Sequence, residues 1–175
     1  ALGNPQPKHG NWVRSVSHTR AGRWIVSAST DGSLRRWSTD PASNVIANLS
    51  APDVWTAVIS TDDRLIASGS FSGKIWLWNI ENFTKQGPPL IGHSDWVTCL
   101  ASMTHNRLAS GSKDGSLLIW DLVKKTMIAK LIEPKNVGIT SLAISTTGNQ
   151  MAVGFKDGSI SLWEADAGSL RELDH

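Results

Sequence analysis

Short runs in which apolar and polar residues alternate recur along the whole chain, and this alternation predicts β-strands. Trp24, Val26 and Ala28 form one such run, and a second run follows it after Asp31-Gly32. Asp-Gly between two alternating runs is a strong hairpin signal, because glycine readily adopts positive φ and aspartate tolerates it. No window of about 12 residues has the 3.6-residue apolar period of an amphipathic helix. The pattern therefore predicts an all-β fold.

One segment of this pattern occurs four times. Its copies occupy residues 27–37, 68–78, 110–120 and 153–163, and each ends in tryptophan. The four tryptophans are separated by 41, 42 and 43 residues, and a period of this length indicates a repeat architecture. Weaker strand signals precede the copies (13–17, 54–59, 97–100, 139–144) and follow them (44–49, 86–91, 127–132, 169–173). We expect four short strands in each repeat.

Composition excludes several classes of protein. The 175 residues are 40% apolar and 18% charged, which is not the composition of a disordered chain. Cys99 is the single cysteine, so one chain cannot form a disulfide framework or a thiolate zinc site, and we expect Cys99 to be buried and inert. No apolar run approaches the ~20 residues of a membrane helix and no signal-peptide pattern opens the chain. The sequence predicts a cytoplasmic location and no membrane association.

The period, the Gly92-His93 pair and the Trp120-Asp121 ending together resemble the WD-repeat β-propeller family, whose repeats span about 40–45 residues. The resemblance covers essentially the entire chain. The residue pattern of the repeats is similar to that of tandem WD-repeat arrays in fungi. It implies a single all-β, propeller-type domain over residues 1–175, with four blades of four antiparallel strands. The repeats fall at approximately 9–50, 51–91, 92–133 and 134–175.

The resemblance also implies a hydrogen-bonded network of His, Ser, Asp and Trp that anchors each blade. Only the third repeat is expected to have all four, as His93, Ser110, Asp114 and Trp120. The first repeat has His9 at the aligned position, but Lys8 stands where glycine is usual. The second repeat has Ser72 in place of the aspartate and lacks the histidine, and the fourth has Val153 in place of the serine and no histidine. A catalytic site needs a single complete set of side chains, whereas here incomplete copies of the same set recur in successive repeats. We therefore interpret these residues as structural.

The number of blades raises the question of how the ring closes, because most relatives close with seven or eight. An open set of four blades exposes sheet surfaces that invite pairing with another chain. Self-association of two chains into an eight-bladed ring, completion by the rest of a longer protein, and a four-bladed closed ring all remain open.

Tryptophans other than the four that end the repeated segments suggest a ligand surface. In WD-repeat relatives, the residues near the start of the first strand and the residue before the turn aspartate lie on the top face around the central channel. Carried over residue by residue, that face contains Trp12, Arg14, Thr30, Asp53, Trp55, Phe71, Trp96, Thr98, Lys113, Thr140 and Lys156. Of these we select as candidate ligand-binding residues Trp12, Arg14, Asp53, Trp55, Phe71, Trp96 and Lys113. The alternative is that the tryptophans only pack against the inner strands.

The resemblance implies a non-enzymatic binding module that presents this aromatic surface to a partner protein or peptide. No catalytic residues, metal ligands or cofactor are predicted, because the chain has no phosphate-binding loop and its only adjacent carboxylate pair, Asp62-Asp63, falls in a turn. A net charge of +2 without a continuous basic stripe does not indicate nucleic-acid binding. Arg36 stands where the other repeats have apolar residues, so it either faces a neighbouring carboxylate or marks an interface edge, and a solvated blade face is the default expectation.

The alternative function is a carbohydrate-binding lectin made multivalent by oligomerisation. Trp12, Trp55 or Trp96 would then stack on the sugar, and Asp53, Asp95 or Asn11 would accept its hydroxyls. Sugar sites should recur at matching positions of the repeats. A protein partner would instead favour one contiguous patch that includes Arg14, Phe71 and Lys113.

Overall fold

A computed structural model describes residues 8–40, 46–132, 137–166 and 169–173. Within these ranges the chain forms strands and turns and contains no helix, as the sequence predicts. The first sheet consists of β1 (Val13–His18), β2 (Trp24–Ser29), β3 (Ser33–Ser38) and β4 (Ile46–Ser50). The second consists of β5 (Val54–Ile59), β6 (Leu65–Ser70), β7 (Lys74–Asn79) and β8 (Leu90–Ile91).

The other two sheets repeat this plan. The third sheet consists of β9 (Val97–Met103), β10 (Arg107–Ser112), β11 (Ser116–Asp121) and β12 (Thr126–Ile132). The fourth consists of β13 (Ile139–Ile144), β14 (Gln150–Phe155), β15 (Ile160–Asp166) and β16 (Ser169–Glu172). Strands that follow one another along the chain pair antiparallel, so each sheet is a four-stranded meander.

The hairpin between the second and third strands has the same geometry in the first three sheets. Gly32, Gly73 and Gly115 have φ of 78°, 76° and 77°, and each donates its N–H to the carbonyl of the residue three positions earlier. The left-handed conformation is readily available to glycine, which explains why the sequence keeps it at this position.

Three apolar cores hold the four sheets together in chain order. The core between the first and second sheets contains Val26, Leu34, Ile66 and Trp78. The core between the second and third contains Ile75, Val97 and Trp120, and the core between the third and fourth contains Leu117, Ile139 and Trp163. In each case the tryptophan of the later repeat packs against the preceding sheet.

Polar contacts between sheets supplement these cores. The carboxylate of Asp63 accepts the N–H groups of Arg20 at 2.8 Å and Ala21 at 3.0 Å. The turn that contains Asp63 was predicted only from its sequence position, and the structure gives it a role in joining the second sheet to the first. Thr98 Oγ1 donates to the carbonyl of Ile139 at 2.5 Å and so links the third sheet to the fourth.

In the described part of the chain, no apolar core joins the fourth sheet to the first. The consequence is visible when equivalent residues of the four sheets are compared. In each sheet, the residue chosen is the one on the first strand that pairs with the last residue of the second strand. Val13 at this position is 48% exposed, whereas Val54, Val97 and Ile139 are 4%, 0% and 1% exposed. Val13 lacks the preceding sheet that covers its counterparts. The four sheets therefore form an open arc.

Candidate functional site

The His–Ser–Asp–Trp network of the third repeat is fully assembled. His93 Nε2 lies 2.7 Å from Ser110 Oγ, and Trp120 Nε1 donates to the same oxygen at 2.8 Å. His93 Nδ1 lies 2.8 Å from Ser116 Oγ, which itself donates to Asp114 Oδ1 at 2.6 Å. The direction of each hydrogen bond is fixed, because the indole N–H can only donate and the carboxylate can only accept. Trp120 donates to Ser110, Ser110 to His93 Nε2, His93 Nδ1 to Ser116, and Ser116 to Asp114.

The ionisation of this network follows from its burial. Desolvation lowers the pKa of His93 to about 4, although Asp114 opposes the shift. Burial alone would raise the pKa of Asp114, but the hydroxyl of Ser116 and the N–H of Ser94 outweigh it and lower this pKa to about 2. At neutral pH the pair is thus a neutral imidazole beside a carboxylate. Since Ser110 is 0% exposed, its hydroxyl cannot meet a substrate, which supports the structural interpretation.

The first repeat assembles the same network, so the expectation that the third repeat alone would do so is wrong. His9 Nε2 lies 2.7 Å from Ser27 Oγ, and Trp37 Nε1 donates to that oxygen at 2.8 Å. His9 Nδ1 lies 3.0 Å from Asp31 Oδ2. Lys8 does not prevent this geometry, because the network uses only the side chain of the following residue and the N–H of Gly10, which donates to Asp31.

The fourth repeat satisfies its tryptophan differently. With Val153 at the serine position, Trp163 Nε1 donates to Ser161 on the same strand at 2.7 Å. In the second repeat, Trp78 Nε1 still donates to Ser68 at 2.8 Å, but Ser72 pairs with Ser70 rather than with a histidine.

Four equivalent backbone hydrogen bonds mark one edge of the arc. The N–H groups of Thr30, Phe71, Lys113 and Lys156 donate to the carbonyls of Trp12, Asp53, Trp96 and Gly138 at 2.9–3.0 Å. All eight residues belong to or adjoin the positions that the sequence assigned to the top face. The structure therefore places the residue before each first strand beside the residue before each turn.

Three of the candidate aromatic residues form one cluster on this edge. The ring centroids of Phe71 and Trp96 are 4.5 Å apart, those of Trp55 and Phe71 are 5.2 Å apart, and those of Trp55 and Trp96 are 5.9 Å apart. Trp55 and Phe71 come from the second repeat and Trp96 from the third. Tilted and edge-to-face pairs at these distances are favourable, and the cluster is therefore prearranged.

Two cations flank the cluster. The guanidinium carbon of Arg14 lies 3.8 Å from the ring centroid of Trp55, and Lys113 Nζ lies 4.7 Å from that of Trp96. Lys113 Nζ is also 3.9 Å from Asp95, while Arg14 and Lys113 both remain exposed to solvent. We call Arg14, Trp55, Phe71, Trp96 and Lys113 the aromatic surface.

The other two candidate residues lie outside the cluster. Trp12 is 73% exposed, and its ring contacts no other ring among the described residues. Asp53 is exposed and contributes its carbonyl to Phe71. Asn11 Oδ1 accepts the N–H of Trp12 and Asp95 Oδ1 accepts the N–H of Trp96, so each side chain is held against the backbone of the tryptophan that follows it.

Sequence reasoning missed one pair of residues in the second repeat. Lys85 Nζ lies 3.9 Å from the ring centroid of Trp76, and a backbone bridge pairs Lys85 with Trp78. The missing aspartate at Ser72 is the sequence signal that this blade is unusual.

Cys99 is half-buried rather than fully buried. Burial raises the pKa of its thiol to about 11, which keeps the thiol protonated and weakly nucleophilic at neutral pH. In the described ranges, His, Cys, Asp and Glu nowhere gather in groups of three that could hold a metal ion. Across the same ranges, the chain has no helix of the length and apolarity needed to cross a bilayer.

Packed four-stranded meanders with repeated His–Ser–Asp–Trp networks define the class as a β-propeller repeat protein. The family model described as "WD domain, G-beta repeat" matches residues 5–38, 43–79, 85–121 and 126–164. The chain therefore belongs to the WD40-repeat family, whose members are typically non-enzymatic scaffolds for protein interaction.

Curated relatives include fungal proteins. The "guanine nucleotide-binding protein subunit beta" of Schizosaccharomyces pombe is 27% identical over 121 residues, which cover 68% of this chain and 39% of the relative. The "CCR4-associated factor 4 homolog" of Candida glabrata is 30% identical over 133 residues, which cover 69% of this chain and 23% of the relative. The chain thus spans well under half of the length of these relatives.

A solved structure titled "Crystal structure of RRP9 WD40 repeats" has the same fold. It superimposes with a TM-score of 0.81 at 23% identity, covering 95% of this chain and 52% of that one. These relatives support a WD-repeat scaffold, and they give no support to the carbohydrate-binding alternative.

Proposed function

We propose that the chain is a non-enzymatic propeller module that holds a partner protein or peptide against its aromatic surface. The observation that carries the proposal is the single cluster of Trp55, Phe71 and Trp96 between Arg14 and Lys113. Aromatic and arginine side chains dominate the energetics of protein interfaces, and a prearranged cluster loses little conformational entropy on binding.

The arrangement of the cluster favours a protein over a repeated small ligand. A repeated ligand site would use matching positions in every repeat, whereas this cluster joins different positions of two adjacent repeats. Trp12, at the position that matches Trp96, has no corresponding ring partners among the described residues. One contiguous patch that includes Arg14, Phe71 and Lys113 is what a protein partner is expected to use.

The charges suggest the chemistry of the partner segment. Arg14 and Lys113 are exposed beside apolar rings, and Asp95 offsets only the lysine. A segment with an apolar anchor and adjacent acidic residues would cover the rings and pair with the guanidinium of Arg14. Nucleic acid, a membrane and a cofactor are not part of the proposal, and a cytoplasmic location stays a prediction.

The test is a selection from a random peptide display library, followed by calorimetric titration of the enriched peptides. We expect Trp55→Ala and Trp96→Ala each to weaken binding by about tenfold or more, which is the effect of losing a hot-spot residue. Val123→Ala is the matched control, because Val123 is a 72% exposed apolar residue outside the cluster. Enriched peptides that bind all variants equally would contradict the proposal.

We further propose that two copies of the chain close the open arc into an eight-bladed ring. Val13 and Val16 are 48% and 65% exposed on the first strand, whereas the counterparts of Val13 in the later sheets are buried against the sheet before them. The fourth sheet of a second copy would pack against this surface in the way that each sheet packs against the next one within the chain.

A further inference from the structure

We propose that the second sheet contains a binding site for a small oxyanion, in the hollow where its His–Ser–Asp–Trp network is incomplete. This site is separate from the aromatic surface, and the proposal does not depend on the proposed function.

A cavity of about 190 Å³ occupies the position of the missing network. Four of its lining residues are Ser50, Ser68, Ser72 and Trp78. Ser68 and Trp78 are the serine and tryptophan of the network, Ser72 stands for the aspartate, and Ser50 precedes Val54 by the same interval as His93 precedes Val97. The cavity thus arises because serines replace an imidazole and a carboxylate. Its volume holds several water molecules or one anion of the size of phosphate.

The hydrogen-bond pattern leaves a donor inside this cavity. In the third sheet, Ser110 accepts from Trp120 and its own hydroxyl lies 2.7 Å from the imidazole of His93. Ser68 accepts from Trp78 in the same way, but no acceptor lies within reach of its hydroxyl hydrogen among the described residues. Ser68 is only 2% exposed, so a ligand oxygen in the cavity would satisfy a buried donor.

Two lysines make the cavity positive. Lys74 replaces the serine that orients the imidazole in the other networks, and Lys85 Nζ lies 3.9 Å above Trp76. Within the described part of the chain, neither ammonium has a carboxylate within 4.0 Å. Asp53 is the one acidic residue in the lining. A ligand that accepts hydrogen bonds and carries negative charge fits this set, which is the chemistry of a carboxylate or a phosphate.

A protonated imidazole fits the cavity poorly, although the hollow matches its position. The aspartate that would pair with it is Ser72, and Lys74 adds a repelling charge. The replacements therefore turn a position that holds a neutral imidazole beside a carboxylate in the third sheet into one that favours an anion.

The experiment is an NMR titration of the ¹⁵N-labelled chain with inorganic phosphate, with acetate and with imidazole as separate probes. We expect saturable shifts of the Trp78 indole N–H and of the Ser68 and Ser70 amides with phosphate or acetate. The tighter of these two probes shows whether the site prefers a phosphate or a carboxylate group. Lys74→Gln and Lys85→Gln should each weaken binding by about fivefold, since each removes one charge-assisted contact. Lys124→Gln, an exposed lysine between β11 and β12, should leave it unchanged.

A second variant keeps the test decisive if the lysine variants are unstable. Ser50→His, Ser72→Asp and Lys74→Ser together restore the side chains of the complete networks, so this variant should fold, melt at a higher temperature and lose the phosphate-induced shifts. The proposal is overturned if the unmodified chain shows no saturable shift, if the refilled variant responds as the unmodified chain does, or if imidazole binds more tightly than both anions.

Discussion

The guanidinium of Arg36 donates a hydrogen bond to the carbonyl oxygen of Ile80 and thereby joins the first sheet to the second. The same nitrogen donates to the carbonyl of Glu81 at 2.5 Å, and the guanidinium carbon lies 4.1 Å from the ring centroid of Trp24. From the sequence, Arg36 either faced a carboxylate or marked an interface edge. The default expectation of a solvated position is wrong, because Arg36 is 6% exposed, and the structure supports the interface, because Arg36 contacts backbone carbonyls of the turn after β7.

We expect Arg36→Ala to lower the free energy of unfolding by about 3 kcal/mol, since it removes charge-assisted hydrogen bonds and the stacking on Trp24. Urea denaturation measures this change. Arg23→Ala is the control: Arg23 lies 3.6 Å from the Glu81 carboxylate with both side chains exposed, and such pairs contribute about 1 kcal/mol or less. Equal effects of the two substitutions would contradict the assigned role.

His9→Ala should destabilise the chain by about 2 kcal/mol, because the buried hydroxyl of Ser27, which still accepts from Trp37, loses the imidazole that accepts its own hydrogen. The prediction distinguishes the observed network from the expectation that only the third repeat has one. The measurement is thermal or urea unfolding, with the exposed His18 as the control in His18→Ala. A cost for His9→Ala no larger than that of the control would show that the first network contributes little.

Stability should fall between pH 6.5 and pH 4 through His93. The folded-state pKa of about 4 lies below the ordinary value of 6.5, so in this window the unfolded chain binds a proton that the folded chain does not. The free energy of unfolding therefore decreases as the pH falls, by about 3 kcal/mol over the window, and His93 adds no further loss below pH 4.

The check is urea unfolding at a series of pH values for the unmodified chain and for His93→Gln, in which this contribution to the pH dependence should be absent. His105→Asn removes an exposed histidine and should keep it. An unchanged pH profile in His93→Gln would refute the assignment.

The assembly is tested by light scattering. We expect the 18.9 kDa chain to have twice its own mass in solution, and Val16→Asp to return it to the monomer mass. Val16 is 65% exposed, and burying an unpaired carboxylate against a second copy is unfavourable. Val123→Asp, at another exposed apolar residue, should leave the mass unchanged. A monomeric unmodified chain would contradict pairing.

The strands and turns were predictable because their signals are local. Alternation over five or six residues defines a strand, and the Asp-Gly of residues 31–32 or 114–115 defines the hairpin that pairs it with the next. The repeat period then aligned the candidate residues of the top face, and the four equivalent backbone bonds agree with that alignment. The first repeat departs from the sequence-based expectation, because Lys8 at the usual glycine position does not disturb the contacts of His9 with Ser27 and Asp31.

Contacts between sheets were decided by the tertiary structure alone. Trp55 meets Trp96, and Arg36 meets Ile80, across about one repeat of sequence, and no local pattern specifies how far one sheet is rotated against the next. The exposure of Val13 and the hollow beside Ser68 likewise depend on which neighbour is present and which side chain is missing. The sequence by itself determined four repeats, their strands and their hairpins, because these follow from short-range backbone preferences. The aromatic surface, the open arc and the cavity required tertiary packing, since each is formed by residues that only the packed sheets bring together.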